Sequence, residues 1–241
     1  MIEIRQLRQF DEFAEAVRLQ QTIWGFADME TMPLRSFVVT AKVGGQLFGA
    51  YDGGEMVGFL IAVPGIKPGP RAYLHSHMLG VLPAYQNAGI GRRLKLRQSE
   101  EALERGIELI EWTFDPLELK NAFFNIERLG AIVRQYSENQ YGVTDSPLHG
   151  GLPTDRAIAE WWLDSPRVRA VLAGQAVEKR IEERIVFPAD VARIRSQDPG
   201  RARDLQRTNG EKFQRAFERG LAVTGFERSA TEGAYLLEPW P

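Results

Sequence analysis

The chain has 241 residues, of which 44% are hydrophobic and 26% charged, the balance of an ordinary globular protein. Its formal net charge of -2 gives no general attraction to nucleic acid or to an anionic membrane, so neither partner is expected. The absence of cysteine excludes disulfides and a cysteine acyl-enzyme, and with only three histidines we expect no metal site. The charged N-terminus and the lack of a long apolar run predict a cytoplasmic protein.

The first half of the chain predicts alternating strands and helices. Asp52-Gly53-Gly54 separates two apolar runs and is typical of a tight hairpin. The predicted elements are, in chain order, a strand over 2–7, helices over 11–24 and 33–43, strands over 47–52 and 56–63, a Pro/Gly-rich loop over 64–70, a strand from 73, a helix over 89–105 and a strand over 108–114.

The second half begins with Asp115-Pro116-Leu117-Glu118, which has the form of a helix start. This favours a capping role over a catalytic role for Asp115. The loop SPLHGGLP contains His149, which we expect at the surface. The later predicted elements are strands over 131–141 and 156–163, a strand at RIVFP, a long helix from Asp198-Pro199 to Gly220, and strands at GLAVTGFE and AYLLEP. Residues 166–241 are therefore expected to form an appended α/β segment.

The segment from Tyr73 to Arg97 joins an alternating strand to a glycine-containing turn and a basic helix. Two glycines at a helix start bring backbone N–H groups and the positive end of the helix dipole toward an anion. A lone G-x-G also suits a plain tight turn, and the residues after Gly91 fit neither a Walker loop nor a dinucleotide motif. Lys95 and Arg97 are expected on a solvated helix face.

The run Val81-x-Pro83-x-Tyr85-Gln86-x-x-Gly89-x-Gly91 resembles the coenzyme A motif of the GCN5-related N-acetyltransferase (GNAT) superfamily. A second, partial match lies at residues 121–130. The resemblance implies a mixed α/β fold with a mostly antiparallel central sheet flanked by helices. It also implies a catalytic domain over 1–165, with the α/β segment over 166–241 packed on or beside it.

The same resemblance implies a site for acetyl-coenzyme A. Main-chain groups at a bulge near Leu79 to Val81 would bond the pantetheine arm, and the Leu79 amide would polarise the thioester carbonyl. The residues expected to bind the cofactor are Leu79, Gly80, Val81, Gln86, Asn87, Ala88, Gly89, Ile90, Gly91, Arg92, Asn121 and Phe124.

Catalysis requires a base because the acceptor amine must be neutral to attack the thioester. His75 and His77 alternate on one strand, so both side chains are expected on one face. His-x-His at this spacing resembles the arylalkylamine N-acetyltransferases, where the pair relays a proton through water. Two buried structural histidines are the alternative. Glu108 and Glu111 are alternative bases or ligands for an ammonium group, or solvent-facing strand residues.

The general acid is left open. Ile126 occupies the position of the tyrosine that protonates the coenzyme A thiolate in many family members, and isoleucine cannot donate a proton. Asn125, Tyr136 and Tyr141 are weak candidates. The thiolate could also leave unassisted or take a proton from water.

The resemblance implies transfer of an acetyl group from acetyl-coenzyme A to a small-molecule primary amine by direct attack. The blocks HSHMLGV, WTFDPLE and GLPTDRAIAEWWL are similar to a subgroup of predicted acetyltransferases whose substrates are mostly unassigned. Three further functions stay open: a non-catalytic acyl-coenzyme A sensor, transfer of a longer acyl group, and transfer to a protein amine. The C-terminal segment is expected to cover the substrate cleft or to form a homodimer contact.

Overall fold

A computed structural model describes residues 1–26, 28–69, 71–142 and 151–240. The chain forms two compact units, Met1–Glu111 and Trp112–Pro241. The loop histidine at position 149 lies outside the described residues. In the described part of the chain, no helix is long and apolar enough to cross a membrane.

The first unit is a strand-rich layer with helices on both faces. Its strands lie in the order β1-β2-β3-β4-β5, and every pairing is antiparallel except that of β4 with β5. The elements are β1 (Glu3–Gln6), α1 (Phe10–Trp24), α2 (Leu34–Lys42), β2 (Gln46–Asp52), β3 (Glu55–Lys67), β4 (Arg71–Val81), a 3₁₀ turn (Pro83–Tyr85), α3 (Ile90–Glu104) and β5 (Leu109–Phe114), which crosses the unit boundary.

Side-chain alternation along β2 places the helices. Leu47 packs in the apolar cluster that α1 and α2 form on the sheet, which includes the fully buried Leu19 and Phe37. The next residue, Phe48, lies under the guanidinium of Arg97 on α3, 5.6 Å from its ring centroid. Because neighbouring strand residues point to opposite faces, α3 covers the face opposite α1 and α2.

The predicted hairpin is confirmed, since Gly53 and Gly54 take φ values of 56° and 101° and Asp52 pairs with Glu55. The predicted loop over 64–70 starts too early, because β3 continues to Lys67 and pairs with β4 through Lys67↔Arg71. Proline is tolerated there because the recorded pairing of β2 with β3 ends at Ala62, so Pro64 has a partner strand on one side.

The second unit also has an antiparallel sheet, with strands in the order β7-β6-β9-β10-β8. Aromatic side chains fill its core, where Tyr235 packs on Phe187, Phe213 and Phe226 at centroid distances of 4.8 to 5.7 Å. Its elements are α4 (Leu119–Phe123) with a π-helical continuation (Phe124–Arg128), β6 (Ile132–Ser137), β7 (Arg156–Trp162), α5 (Pro166–Leu172), β8 (Glu183–Pro188), α6 (Val191–Gln197), α7 (Pro199–Glu218), β9 (Leu221–Arg228) and β10 (Glu232–Pro239).

The structure corrects the role predicted for Asp115. Helix α4 begins at Leu119, so Asp115 is not its N-cap. The Asp115 carboxylate accepts a bond from the Leu117 N–H at 2.8 Å and pairs with Arg195 at 2.6 Å. A turn therefore takes the place of the predicted first helical turn, and an ion pair that sequence spacing cannot show supplies the main partner.

The start of the long helix was predicted correctly. The Asp198 carboxylate accepts a bond from the Arg201 N–H at 2.9 Å, and Pro199 is the first residue of α7. Helices α5 and α6 were missed. Within the second unit β6 pairs with β9 at Val133↔Val223, so strands from both sides of residue 165 share one sheet. The division into 1–165 and 166–241 stays a prediction.

Candidate active site

Strand β4 carries one extra residue, His77, beside β3. Ile61 of β3 lies opposite Met78, whereas the next residue, Ala62, lies opposite Ser76. His77 is left without an opposite residue, which is the geometry of a β-bulge. The family resemblance implied a bulge near Leu79 to Val81, and the register places it at His77, two residues before Leu79.

The bulge changes which side chains face each helix. Before it, Ser76 faces α3 and bonds Lys95; after it, Leu79 faces α3 and lies against Gly91. Met78 packs in the α1/α2 cluster on the opposite face. Strict alternation would place residues 76 and 79 on opposite faces, so the extra residue is what lets both contact α3.

The two histidines lie near each other, with ring centroids 6.3 Å apart. Burial, with a smaller contribution from the nearby groups His77, Lys95 and Lys67, lowers the pKa of His75 to about 4. Solvent reaches His77, but the surrounding protein atoms still lower its pKa. At neutral pH both rings are therefore neutral and able to accept a proton.

A buried ion pair lies on the same sheet face as His75. Glu111 of β5 is opposite His75 in the parallel register, is 5% exposed, and pairs with Lys67 of β3. The solvent-facing alternative for Glu111 is therefore wrong, whereas Glu108 is exposed. The sequence did not predict the contribution of Lys67, because it lay in the segment assigned to a loop.

The glycine turn enters α3 in a left-handed conformation. Asn87 and Gly89 have φ values of 64° and 79°, and Gly89 caps α3 without a side-chain hydrogen bond. The first N–H groups of a helix have no acceptor within the helix, so this cap leaves them available to an external anion. The Gln86 amide donates to the Val81 carbonyl at 3.1 Å, which ties the turn to the end of β4.

The backbone conformation requires glycine at position 89 but not at position 91. Gly89 needs glycine because of its positive φ, although a Cβ there would meet no heavy atom within 4 Å. A Cβ on Gly91, whose φ is not in that region, would meet only the Leu79 Cδ2 atom, at 3.4 Å. The fold therefore has room for a larger residue at position 91.

The basic residues of α3 have three different environments. Lys95 is 3% exposed, so the predicted solvated position is wrong for it. Arg93 is exposed and donates to the Ile2 carbonyl at 2.6 Å, and Arg92 is half-buried beside Gly91. Exposed turn residues precede α3, namely Gln86, Asn87, Ala88 and Gly89, whereas Ile90 is buried.

The remaining predicted residues belong to the second unit. Asn121 is exposed on α4, and Phe124 is half-buried where the π-helical segment begins. Asn125 and Ile126 are buried. None of these environments assigns a role by itself.

Two tyrosines were weak candidates for the general acid. The Tyr136 hydroxyl donates to Asp155 at 2.6 Å, and burial and this carboxylate raise its pKa. A hydroxyl so held is a poor proton donor. Tyr141 is 48% exposed and shares a 2.9 Å hydrogen bond with Thr113. Over the described residues, no group of three or more His, Cys, Asp or Glu side chains is placed to hold a metal ion.

Comparison with solved structures identifies the fold. The ribosomal-protein-S18-alanine N-acetyltransferase of Escherichia coli is 17% identical and superposes with a TM-score of 0.54 over 76% of this chain and 100% of that protein. Naa50 of Arabidopsis thaliana, solved with a bisubstrate analogue, is 14% identical and superposes with a TM-score of 0.53 over 66% of this chain and 97% of that protein. The yncA protein of Salmonella typhimurium, solved with acetyl-CoA, is 18% identical and superposes with a TM-score of 0.54 over 75% of this chain and 99% of that protein. No curated protein sequence matches the chain.

These three solved structures share the fold of the chain. The model of the acetyltransferase (GNAT) family matches residues 7–130, which is more than half of the chain. The chain therefore belongs to the GNAT family and is an N-acetyltransferase, as the coenzyme A motif predicted.

Proposed function

We propose that the enzyme transfers the acetyl group of acetyl-CoA to a primary amine of a small molecule, with His77 as the base and His75 beside it. The observation that supports this best is the placement of His77 as the bulged residue of β4, solvent-accessible and with a lowered pKa. A bulge can re-aim a side chain next to an active site.

The reaction follows from the groups present. The neutral amine attacks the thioester carbonyl carbon, a C–N bond forms, and the C–S bond breaks to release the coenzyme A thiolate. The attacking nitrogen becomes positively charged as the bond forms and loses a proton through water to the His77 imidazole. The thiolate gains a proton from solvent, and the imidazolium returns its proton to solvent, so that the protons balance. The Leu79 N–H would stabilise the oxyanion that develops on the carbonyl. Direct transfer is favoured because the chain has no cysteine to form an acyl-enzyme thioester.

The glycine turn supplies the cofactor site in this proposal. The first N–H groups of α3 bond the diphosphate, and Gly91 allows it to approach the main chain. Main-chain groups of Leu79, Gly80 and Val81 bond the pantetheine arm. Asn121 and Phe124 are assigned to the same cofactor from the family motif.

Glu111 is the second candidate for the base. It is buried next to His75, but it is already held in an ion pair with Lys67. A solvent-accessible neutral imidazole can exchange protons with water more readily. We therefore assign the base to His77.

The acceptor could also be a protein amine, as the name of the Escherichia coli neighbour states for that enzyme. That likeness is one of fold, so it does not choose the acceptor here. A sensor that binds acyl-CoA without turnover and a transferase for a longer acyl group also stay open. A cytoplasmic location and a homodimer stay predictions.

Calorimetric titration of the protein with acetyl-CoA and, separately, with coenzyme A tests the cofactor site. We expect saturable binding of both. A screen of small amines and N-terminal peptides by thiol release then tests the acceptor. Turnover with small amines but not peptides is expected; turnover with peptides alone would contradict the proposed acceptor, and tight binding without any turnover would indicate a sensor.

A further inference from the structure

A polar layer lies between α3 and the sheet, where an apolar core is the usual arrangement. The Lys95 Nζ donates to the Ser76 Oγ at 3.2 Å and to the Gln98 Oε1 at 2.7 Å. Lys95, Ser76 and Gln98 are 3%, 7% and 0% exposed. Burying a lysine costs free energy unless its N–H groups are bonded, so the layer calls for an explanation.

Ser76 is the last residue of β4 before the bulge. The residue after His77 is Met78, which packs in the α1/α2 cluster. Gly80 then fits against α1 so closely that a Cβ would come within 2.8 Å of the Ile23 Cδ1 atom. His77 is thus flanked by two contacts that hold β4 in place, one on each face of the sheet. We call the first of them, the hydrogen bond from Lys95 to Ser76, the anchor before the bulge.

The anchor before the bulge has a specific consequence for register. The extra residue could move along β4 by one position if nothing held the strand on either side. Such a slip would turn the side chains between the two positions to the other face of the sheet. The hydrogen bond from α3 to Ser76 opposes the slip because Ser76 must stay on the α3 face to keep it.

We propose that Lys95 is a positioning residue: by holding Ser76 on α3 it fixes the bulge at His77 and thereby orients the His77 imidazole. This role rests on the proposed function only where activity is the readout.

Two variants break the anchor from either side. Ser76→Ala removes the acceptor, and Lys95→Met removes the donor while keeping an unbranched side chain in the layer. Ser76→Thr keeps the hydroxyl and is the rescue variant. Gln46→Met is the matched control, since Gln46 is equally buried in the layer but bonds the Gln98 carbonyl and Glu101 instead of β4.

The deciding measurement is the cross-strand NMR contact between the Ile61 and Met78 amides, which needs no activity. We expect the Ile61–Met78 contact at full strength in the wild type, Ser76→Thr and Gln46→Met. In Ser76→Ala and Lys95→Met we expect this contact to weaken and a second contact, from Ile61 to His77, to appear. An unchanged Ile61–Met78 contact in both anchor variants would overturn the inference, whatever their melting temperatures.

Kinetics provides the second readout. In the two anchor variants we expect kcat to fall about tenfold to a hundredfold, with acetyl-CoA affinity within about twofold of the wild type, because only the base is displaced. Equal loss in Gln46→Met would overturn the specific role of Lys95. A wild-type protein that shows no acetyl transfer would refute the proposed function and leave the NMR test of the bulge intact.

Discussion

His77 is the residue whose removal tests the mechanism most directly. His77→Ala should lower kcat by about a hundredfold to ten-thousandfold while leaving acetyl-CoA affinity almost unchanged, because the imidazole acts on the amine proton. The pKa of His77 is lowered, so the wild-type rate should fall with decreasing pH at a lower pH than an unperturbed histidine would give. Steady-state kinetics with calorimetry measures both effects.

The chain provides a matched control for this variant. His149→Ala removes the third histidine, which has no part in the proposed mechanism, and should leave kcat unchanged. An unchanged rate in His77→Ala would remove this residue from the mechanism and direct attention to Glu111, whose Glu111→Gln variant would then carry the large loss.

His75 makes stability depend on pH. Its pKa is lowered to about 4 in the folded protein and is near the ordinary value of 6.5 when unfolded, so the unfolded state binds more protons between these values. Stability should therefore fall as the pH decreases through this window. Linkage gives a loss of about 2 kcal/mol between pH 7 and pH 5 from this residue.

Urea unfolding of the wild type and His75→Gln at both pH values measures that contribution. The variant should lose about 2 kcal/mol less than the wild type on going from pH 7 to pH 5, since its amide does not titrate. Equal losses in the two proteins would show that His75 is not held neutral by burial.

The turn into α3 is the element that should decide cofactor binding. Gly91→Val should weaken acetyl-CoA binding sharply by blocking the approach of the diphosphate to the main chain. The fold should survive, because the nearest atom to a Cβ at this position is the flexible end of Leu79, at 3.4 Å. Calorimetric titration measures the affinity, and thermal unfolding monitors the fold.

A second glycine at a helix start gives the control. Gly200 lies in the first turn of α7, where a Cβ would meet only the Asp198 Oδ1 atom, at 3.5 Å. Gly200→Val should leave acetyl-CoA affinity unchanged. Normal affinity in a folded Gly91→Val protein would refute the assignment of the phosphate site to this turn.

At the level of elements, sequence patterns predicted the type of each helix or strand better than its first and last residues. The helix starting at Asp198-Pro199 was predicted because cap and proline act within one turn of chain. The strand over 55–67 was predicted to end before Pro64. Whether a strand tolerates proline depends on how many neighbouring strands pair with that residue, which the sequence does not show. Lys95 was assigned to solvent, since a buried lysine requires acceptors on another element that helix periodicity cannot reveal.

For the whole molecule, residues 166–241 should be required for stable folding of the second unit. A chain ending at residue 165 would lack β9, the partner of β6, and Phe213, whose ring stacks on Tyr136 at 5.6 Å. Circular dichroism should show a lower melting temperature or loss of cooperative unfolding, with exposure of an unpaired strand edge. A chain ending at residue 239 is the control.

The opposite result would also be informative. If the chain ending at residue 165 unfolded cooperatively at the temperature of the full chain, residues 166–241 would be an independent appendage. That outcome would support the predicted domain limits in their strictest form.

The sequence by itself determined the family, the order of the elements and the location of the glycine turn, because these depend on contiguous residues. Alternation, caps and turn residues act over a few positions, and the coenzyme A motif spans Val81 to Gly91. It also placed His75 and His77 on one strand. Only the tertiary structure decided that His77 is the bulged residue, that Glu111 is paired with Lys67 and that Lys95 holds Ser76. Each of these depends on the register of one strand against another or on a contact between distant residues, which no local pattern encodes.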